Sequence, residues 1–211
     1  MKLSPRGHRW VLTAPLLLLA AACGGGDDRE AGRDAAADTA PATTQGPPPA
    51  PAPAPAPAGT LTDGNIVAIL GASGRSEIVP SDSVVHRVEH AEVKRFARHM
   101  ITQHTALNDT VSMVAQQNGI TPVPDAGSAQ LDSTSAAAVQ RLRGLSGAEL
   151  DRAFMQYMVT SHEGALKAVN EKLLPAVQNP QLRTAIEKDV RPVVRAHLAE
   201  AHKVLRSLGP P

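Results

Sequence analysis

Glu77, His104, His162 and His197 have the side-chain types of a metal centre, and each interrupts an otherwise apolar stripe with three- and four-residue spacing. Such spacing belongs to a helix that buries one face. Each residue stands near the middle of its own stripe, so packing the helices side by side would bring all four to one height. Burying three imidazoles and a carboxylate costs on the order of several kcal/mol unless they are hydrogen-bonded, charge-paired or metal-ligating. Two readings follow. Three nitrogens and an oxygen would satisfy zinc, copper or iron. Alternatively, Glu77 pairs with the histidines in a buried polar layer that fixes helix register.

A repeat bears on the choice of ion. Phe96-x3-Met100-Ile101-Thr102-Gln103-His104 recurs as Phe154-x3-Met158-Val159-Thr160-Ser161-His162, using both phenylalanines of the chain. Met100 and Met158 each precede a histidine by one helical turn, and a thioether beside an imidazole suits Cu(I). The other reading of both methionines is core filling. Glu163 and Glu200 stand close enough in sequence to His162 and His197 to be expected as partners that orient a ring. His86, His90, His99 and His202 fall off the stripes or near helix ends, where a solvated or capping role is expected.

Four long helices must position these groups. The first should start at Thr62 or Asp63 and carry Ile66, Ile69, Leu70, Ser73, Glu77 and Val84, with Pro80 kinking it. A turn around Glu89-His90 separates it from the second, which carries Val93, Phe96, Ala97, Met100, His104, Leu107, Val111 and Val114 and stops at Asn118-Gly119. Ile120 to Leu131, with two prolines and Gly127, reads as a loop before a short helix over Ser135 to Arg143. Ser146-Gly147-Ala148-Glu149 matches a capping box and opens the third long helix, with Leu150, Phe154, Met158, His162 and Leu173 on its stripe. Asn179-Pro180 opens the fourth, with Leu182, Ile186, Val190, Val193, His197, Ala201, Val204 and Leu208. Pro192 should bend that helix before His197. Strand alternation is absent. Two helical hairpins joined by a long crossover between the second and third long helices make an all-α, ferritin-like four-helix bundle over 61–211.

Composition excludes several function classes. Lys and Arg number 21 against 20 Asp and Glu, scattered along the helices, so no electrostatic footprint for nucleic acid is present. Phe96, Phe154 and Tyr157 are the only aromatic residues beyond Trp10, too few for base stacking. No nucleophile elbow, phosphate loop or zinc-finger spacing occurs, and the paired Glu and Glu-x-x-His set of di-iron oxidases is missing. No catalytic residue is assigned, and nothing in the sequence calls for an enzyme.

The N-terminal residues argue for location. A basic segment through Arg9 and an apolar run from Trp10 to Ala22 read as a signal peptide over 1–22, too short to span a bilayer. Leu19-Ala20-Ala21-Ala22-Cys23 resembles the lipobox of bacterial lipoproteins, which implies cleavage before Cys23 and lipidation of its thiol. Cys23 is the sole cysteine, so no intramolecular disulfide can form. The stretch 23–60 cannot bury enough apolar surface to fold and reads as a disordered tether, whose closing alternating Pro-Ala run holds polyproline II geometry and lifts the domain ~40 Å from the membrane. Gly24, where an inner-membrane lipoprotein would have Asp, implies the outer membrane facing the periplasm, with the membrane as partner through Cys23.

Three motifs occur in order: Glu92-Val93-Lys94-x-Phe96-Ala97-x-x-Met100-Ile101-x-x-His104-Thr105, then Met158-Val159-x-x-His162-Glu163, then Pro192-x3-Ala196-His197-Leu198. Together they resemble the bacterial domain-of-unknown-function family 4142. The resemblance implies a ferritin-like fold and an envelope location but no activity. The expectation from sequence is therefore an envelope-anchored helical domain that binds a transition metal at Glu77, His104, His162 and His197 in metal or stress handling, or else a structural and interaction module with a ligand-free polar layer.

Overall fold

The computed structural model describes residues 61–210. The expected leader over 1–22, Cys23 and the tether to residue 60 lie outside the described residues.

The described residues form an all-α bundle of five helices. Helix α1 is Asp63–Val84, α2 is Ala91–Gln117 and α3 is Ala126–Arg143. Helix α4 runs from Gly147–Ala168 through a π-helical turn, Val169–Leu173, into Leu174–Ala176. Helix α5 starts with Pro180–Ala185, passes through a second π-helical turn, Ile186–Val190, and continues as Arg191–Ser207. No helix among the described residues is long and apolar enough to cross a membrane.

The ends of the elements follow from capping chemistry. Thr62 and Asn65 form a reciprocal capping box at the start of α1. Asn179 accepts from the backbone N–H groups of Gln181 and Leu182, opening α5 as its Asn-Pro pair predicts. After Asn118, Gly119 adopts φ +65°, the left-handed conformation that ends α2 without a Cβ clash. Ser146 departs from expectation, since it caps α4 by position but makes no side-chain capping bond, and Gly147 beside it has φ +56°. Asp151, in the first turns of α4, instead ties α4 to the α1–α2 turn, its carboxylate accepting from the N–H groups of Glu89 and His90.

Two apolar clusters fill the bundle. One joins Val84, Val93, Phe96, Met100, Leu150, Phe154, Met155, Met158, Ala201 and Val204. The other joins Ile66, Leu70, Val111, Val169, Leu173, Leu182, Ile186, Val190 and Val194. Sorting the helices by these clusters gives their directions: α1 and α5 run from the second cluster to the first, and α2 and α4 run the opposite way. The principal contacts pair α1 with α2, α2 with α5, α5 with α4 and α4 with α1. Helices α2 and α4 therefore face each other across the bundle, where the Phe96 and Phe154 rings meet edge to face at 6.4 Å.

Because α2 ends where α4 does, the connection must travel the length of the bundle, and α3 makes that crossing packed along α1. The crossover is therefore helical from Ala126 and not only from Ser135. Asp125 and Ser128 form a capping box that starts it, inside the stretch expected to be a loop. Pro80 stays inside α1, where its missing N–H frees the Ser76 carbonyl; the Tyr157 hydroxyl donates to that oxygen at 2.7 Å. In α5, Val194 is buried where the sequence stripe placed Val193, because the π turn inserts a residue and rotates the following face.

Candidate metal centre

Where the two apolar clusters meet, each of the four bundle helices contributes one polar side chain. Glu77 stands between Leu70 of one cluster and Val84 of the other, and His104 between Val111 and Met100. His162 and His197 occupy the corresponding junctions on α4 and α5. All four are buried, with at most 3 % of the residue surface exposed. Their convergence follows from register, since each polar residue stands where its own helix passes from one apolar cluster to the other.

The three imidazoles pack against one another. Ring centroids are 5.0 Å apart for His104 and His197, 5.5 Å for His162 and His197, and 5.6 Å for His104 and His162. One ring nitrogen from each lies within 4.8 Å of one on each of the others. The closest pair is His197 Nδ1 and His104 Nε2 at 3.2 Å. Glu77 closes the group, with Oε2 3.0 Å from His104 Nε2 and Oε1 3.5 Å from His162 Nδ1.

Hydrogen-bond accounting identifies which atoms are free. His162 Nδ1 lies 2.8 Å from the Met158 carbonyl, which can only accept, so Nδ1 carries the proton and Nε2 presents a lone pair. That Nε2 is buried without a partner. Glu77 Oε1 accepts from the Ser161 hydroxyl at 3.0 Å. Glu77 Oε2 is close enough to His104 to interact electrostatically but off the line of a ring N–H, and it too lacks a hydrogen-bond donor. Between His104 Nε2 and His197 Nδ1 there is room for one shared proton. The layer thus holds more inward-facing lone pairs than protons to fill them, an imbalance that a buried cation would relieve.

Electrostatics point the same way. Burial pushes the His197 pKa down to about 3 from an ordinary 6.5, with His104, His162 and His99 adding to the fall and Glu77 opposing it. Burial likewise lowers His162, against the pull of Glu77. For Glu77, burial alone would raise the pKa, but His104, His162 and Ser161 outweigh it and the net shift is downward. At neutral pH this gives an ionised carboxylate among imidazoles of which at least His162 and His197 are neutral, the protonation states metal ligation requires.

The remaining expectations meet mixed outcomes. Met100 and Met158 are fully buried among the apolar residues of the first cluster, where they fill space around the phenylalanines. Glu163 does not reach His162; it points outward, 3.7 Å from His202. The residue following a buried helical position is turned about 100° away from it, which explains the miss. Glu200 does not meet His197 either, since its carboxylate lies 3.0 Å from His99 Nδ1. His99 in turn sets its ring against His197 at 5.1 Å. His99 was expected to be solvated, yet it forms the outer wall of the centre and links it to the surface. Its sequence signal is its place two residues before the 101–104 turn that carries His104, a spacing that alone does not separate it from an exposed histidine. Ser161 and Tyr157 were also missed: Ser161 donates to Glu77, and burial together with the Glu77 charge raises Tyr157 to about 12.

A five-helix bundle whose core is cut by a buried three-histidine, one-glutamate layer defines the structural class. Within it, the chain belongs to the family described as Domain of unknown function (DUF4142), whose model matches residues 48–204. No curated protein and no solved structure matches the chain.

Proposed function

We propose that this domain binds one divalent first-row transition metal ion, zinc foremost, at His104, His162, His197 and Glu77. The observation carrying this reading is the pair of buried, unpartnered atoms, His162 Nε2 and Glu77 Oε2, beside the close nitrogens of His104 and His197. Ligand atoms around a tetrahedral ion at ~2.0–2.1 Å are separated by about 3.3 Å. The 3.2 Å between His104 and His197 and the 3.0 Å between His104 and Glu77 approach that spacing. A donor set of imidazole and carboxylate suits Zn²⁺, Fe²⁺ or Cu²⁺ and lacks the thioether that would single out Cu⁺. The Met158 carbonyl and the Ser161 hydroxyl orient the ligands from behind, as partners of metal-binding groups do. In this role the domain acts in metal or stress handling.

Untagged protein should retain one equivalent of metal and lose thermal stability on chelation. His162→Ala should abolish that retention, and Ser161→Ala should weaken metal affinity by about tenfold or more. If wild-type protein stays metal-free and its melting temperature ignores Zn²⁺, Fe²⁺ and Cu²⁺, the layer is a polar register device, a role for which the Glu77 contacts to His104 and His162 would suffice.

The lipobox-like Leu19–Cys23 segment supports a further part of the proposal: anchoring through Cys23 to the outer membrane, with the domain held off the lipid by the Pro-Ala tether. Cys23→Ser should move the protein from the membrane fraction to the soluble fraction, and unchanged fractionation would contradict anchoring.

A further inference from the structure

Beside the polar layer, on the side of the aliphatic cluster, lies a cavity of about 290 Å³. Its walls are almost wholly hydrocarbon, contributed by residues such as Leu70, Leu107, Val111, Val169 and Val194. No Lys, Arg, Asp or Glu lines it. His104 is part of the inner wall, so the cavity ends against the metal centre. Toward the surface it is bounded by Thr134 of α3 and by Thr160 and Gly164 of α4, all exposed. These two helices touch sparsely, whereas α3 packs closely on α1, and this leaves a mouth between them.

Two features separate this space from a packing fault. Both π-helical turns of the described residues place side chains on it, Val169 and Leu173 from one and Val190 from the other. Such turns are rare and concentrate at functional sites, because an inserted residue bulges the backbone and opens the space beside it. The polar lining is also thin: the Tyr157 hydroxyl donates to the Ser76 carbonyl, Ser76 to the Ser73 carbonyl and Ser161 to Glu77, which leaves mainly the Asn108 amide beside Gly74 and the threonines at the mouth as the polar groups on the wall. Ordered water needs two to four polar partners, which hydrocarbon walls do not supply.

We propose that this cavity is a binding site for a small uncharged apolar molecule, a hydrocarbon or a molecule with at most one hydroxyl or carbonyl, lying with one end against His104. Size sets the class. A dry cavity of ~150 Å³ holds a benzene ring, so this one fits on the order of ten non-hydrogen atoms. Charge excludes the rest, since an ionised head group would meet no counter-charge in the walls. The site does not depend on metal being bound, and its ligand enters between α3 and α4.

The test is titration of the full chain with 1-naphthylamine, an uncharged probe of about eleven non-hydrogen atoms that matches the cavity and whose fluorescence responds to apolar surroundings, followed by displacement with octanol. The same titration is repeated after chelation, so that failure of the metal reading and failure of this one are distinguishable. The expected result is saturable binding of one probe per chain, with or without chelator, displaced by octanol and not by octanoate. Ala168→Phe, which fills the cavity from the α4 wall, should weaken probe binding by at least tenfold. Gly164→Phe repeats the test at the mouth, at an exposed position where an added Cβ meets nothing within 4 Å. Absence of saturable binding, binding unchanged in both folded variants, or displacement by octanoate in preference to octanol would each overturn the proposal.

Discussion

The two halves of the bundle core are built from different side chains. The half at the α1–α2 turn contains both phenylalanines together with Met100, Met155 and Met158, whereas the half at the α4–α5 turn is purely aliphatic. Methionine is unbranched and fills irregular gaps, so the first half closes around its aromatic pair. Valine and isoleucine are stiff at χ1 and cannot reach into odd spaces. Combined with two π turns, they leave the second half with the cavity beside the histidines. The polar layer therefore has a filled side and an open side, and any small molecule that reaches it from the cavity arrives at His104.

The comparison predicts unequal responses to mutation. Phe154→Ala, in the filled half, removes the edge-to-face partner of Phe96 and should cost about 3–5 kcal/mol in denaturant unfolding. A much smaller loss would mean that the filled half already has slack.

The boundary between the halves should respond to acid. Below 6.5 the unfolded chain protonates its histidines, while burial keeps His162 and His197 neutral in the fold, His197 down to about 3. The unfolded state then binds more protons, so stability falls as pH falls. His197 alone contributes ~1.4 kcal/mol per pH unit below its unfolded value, giving a loss of roughly 1 kcal/mol in metal-free protein between neutrality and about pH 5.5, to which His162 adds in the same direction. Chemical denaturation across that range measures it, and a flat profile would show that the imidazoles are not held neutral.

The smallest effect is the sharpest contrast. Ala97→Leu overpacks the filled half, where Ala97 is completely buried, and should cost about 1–3 kcal/mol. Ala168→Leu, on the cavity wall, should be neutral or stabilising in the same unfolding assay. Equal losses at the two positions would erase the distinction between the halves.

Much of this organisation could be read before the structure. The stripes around His104 and His162 follow helical periodicity without interruption, and Asn118-Gly119 and Asn179-Pro180 have unambiguous stop and start chemistry. Residues whose behaviour depends on neighbouring helices were harder to read. The start of α3 was hidden because Pro122, Pro124 and Gly127 dominate the local signal, whereas the Asp125–Ser128 box decides the backbone. Val193 and Val194 exchanged places because π turns have no compositional mark. Glu163 and Glu200 were assigned by sequence proximity, but their carboxylates go to His202 and His99, partners determined by the packing of α4 against α5. The cavity had no sequence signal, since it arises from what the aliphatic half fails to fill.

The central claim is that the polar layer is a ligand set, and X-ray absorption at the metal edge of protein loaded with one equivalent of Zn²⁺ tests it most directly. The account predicts a low-coordinate shell at ~2.0–2.1 Å with the multiple-scattering pattern of three imidazoles. A six-oxygen shell without imidazole scattering, or zinc that washes out of the wild-type protein, would contradict it.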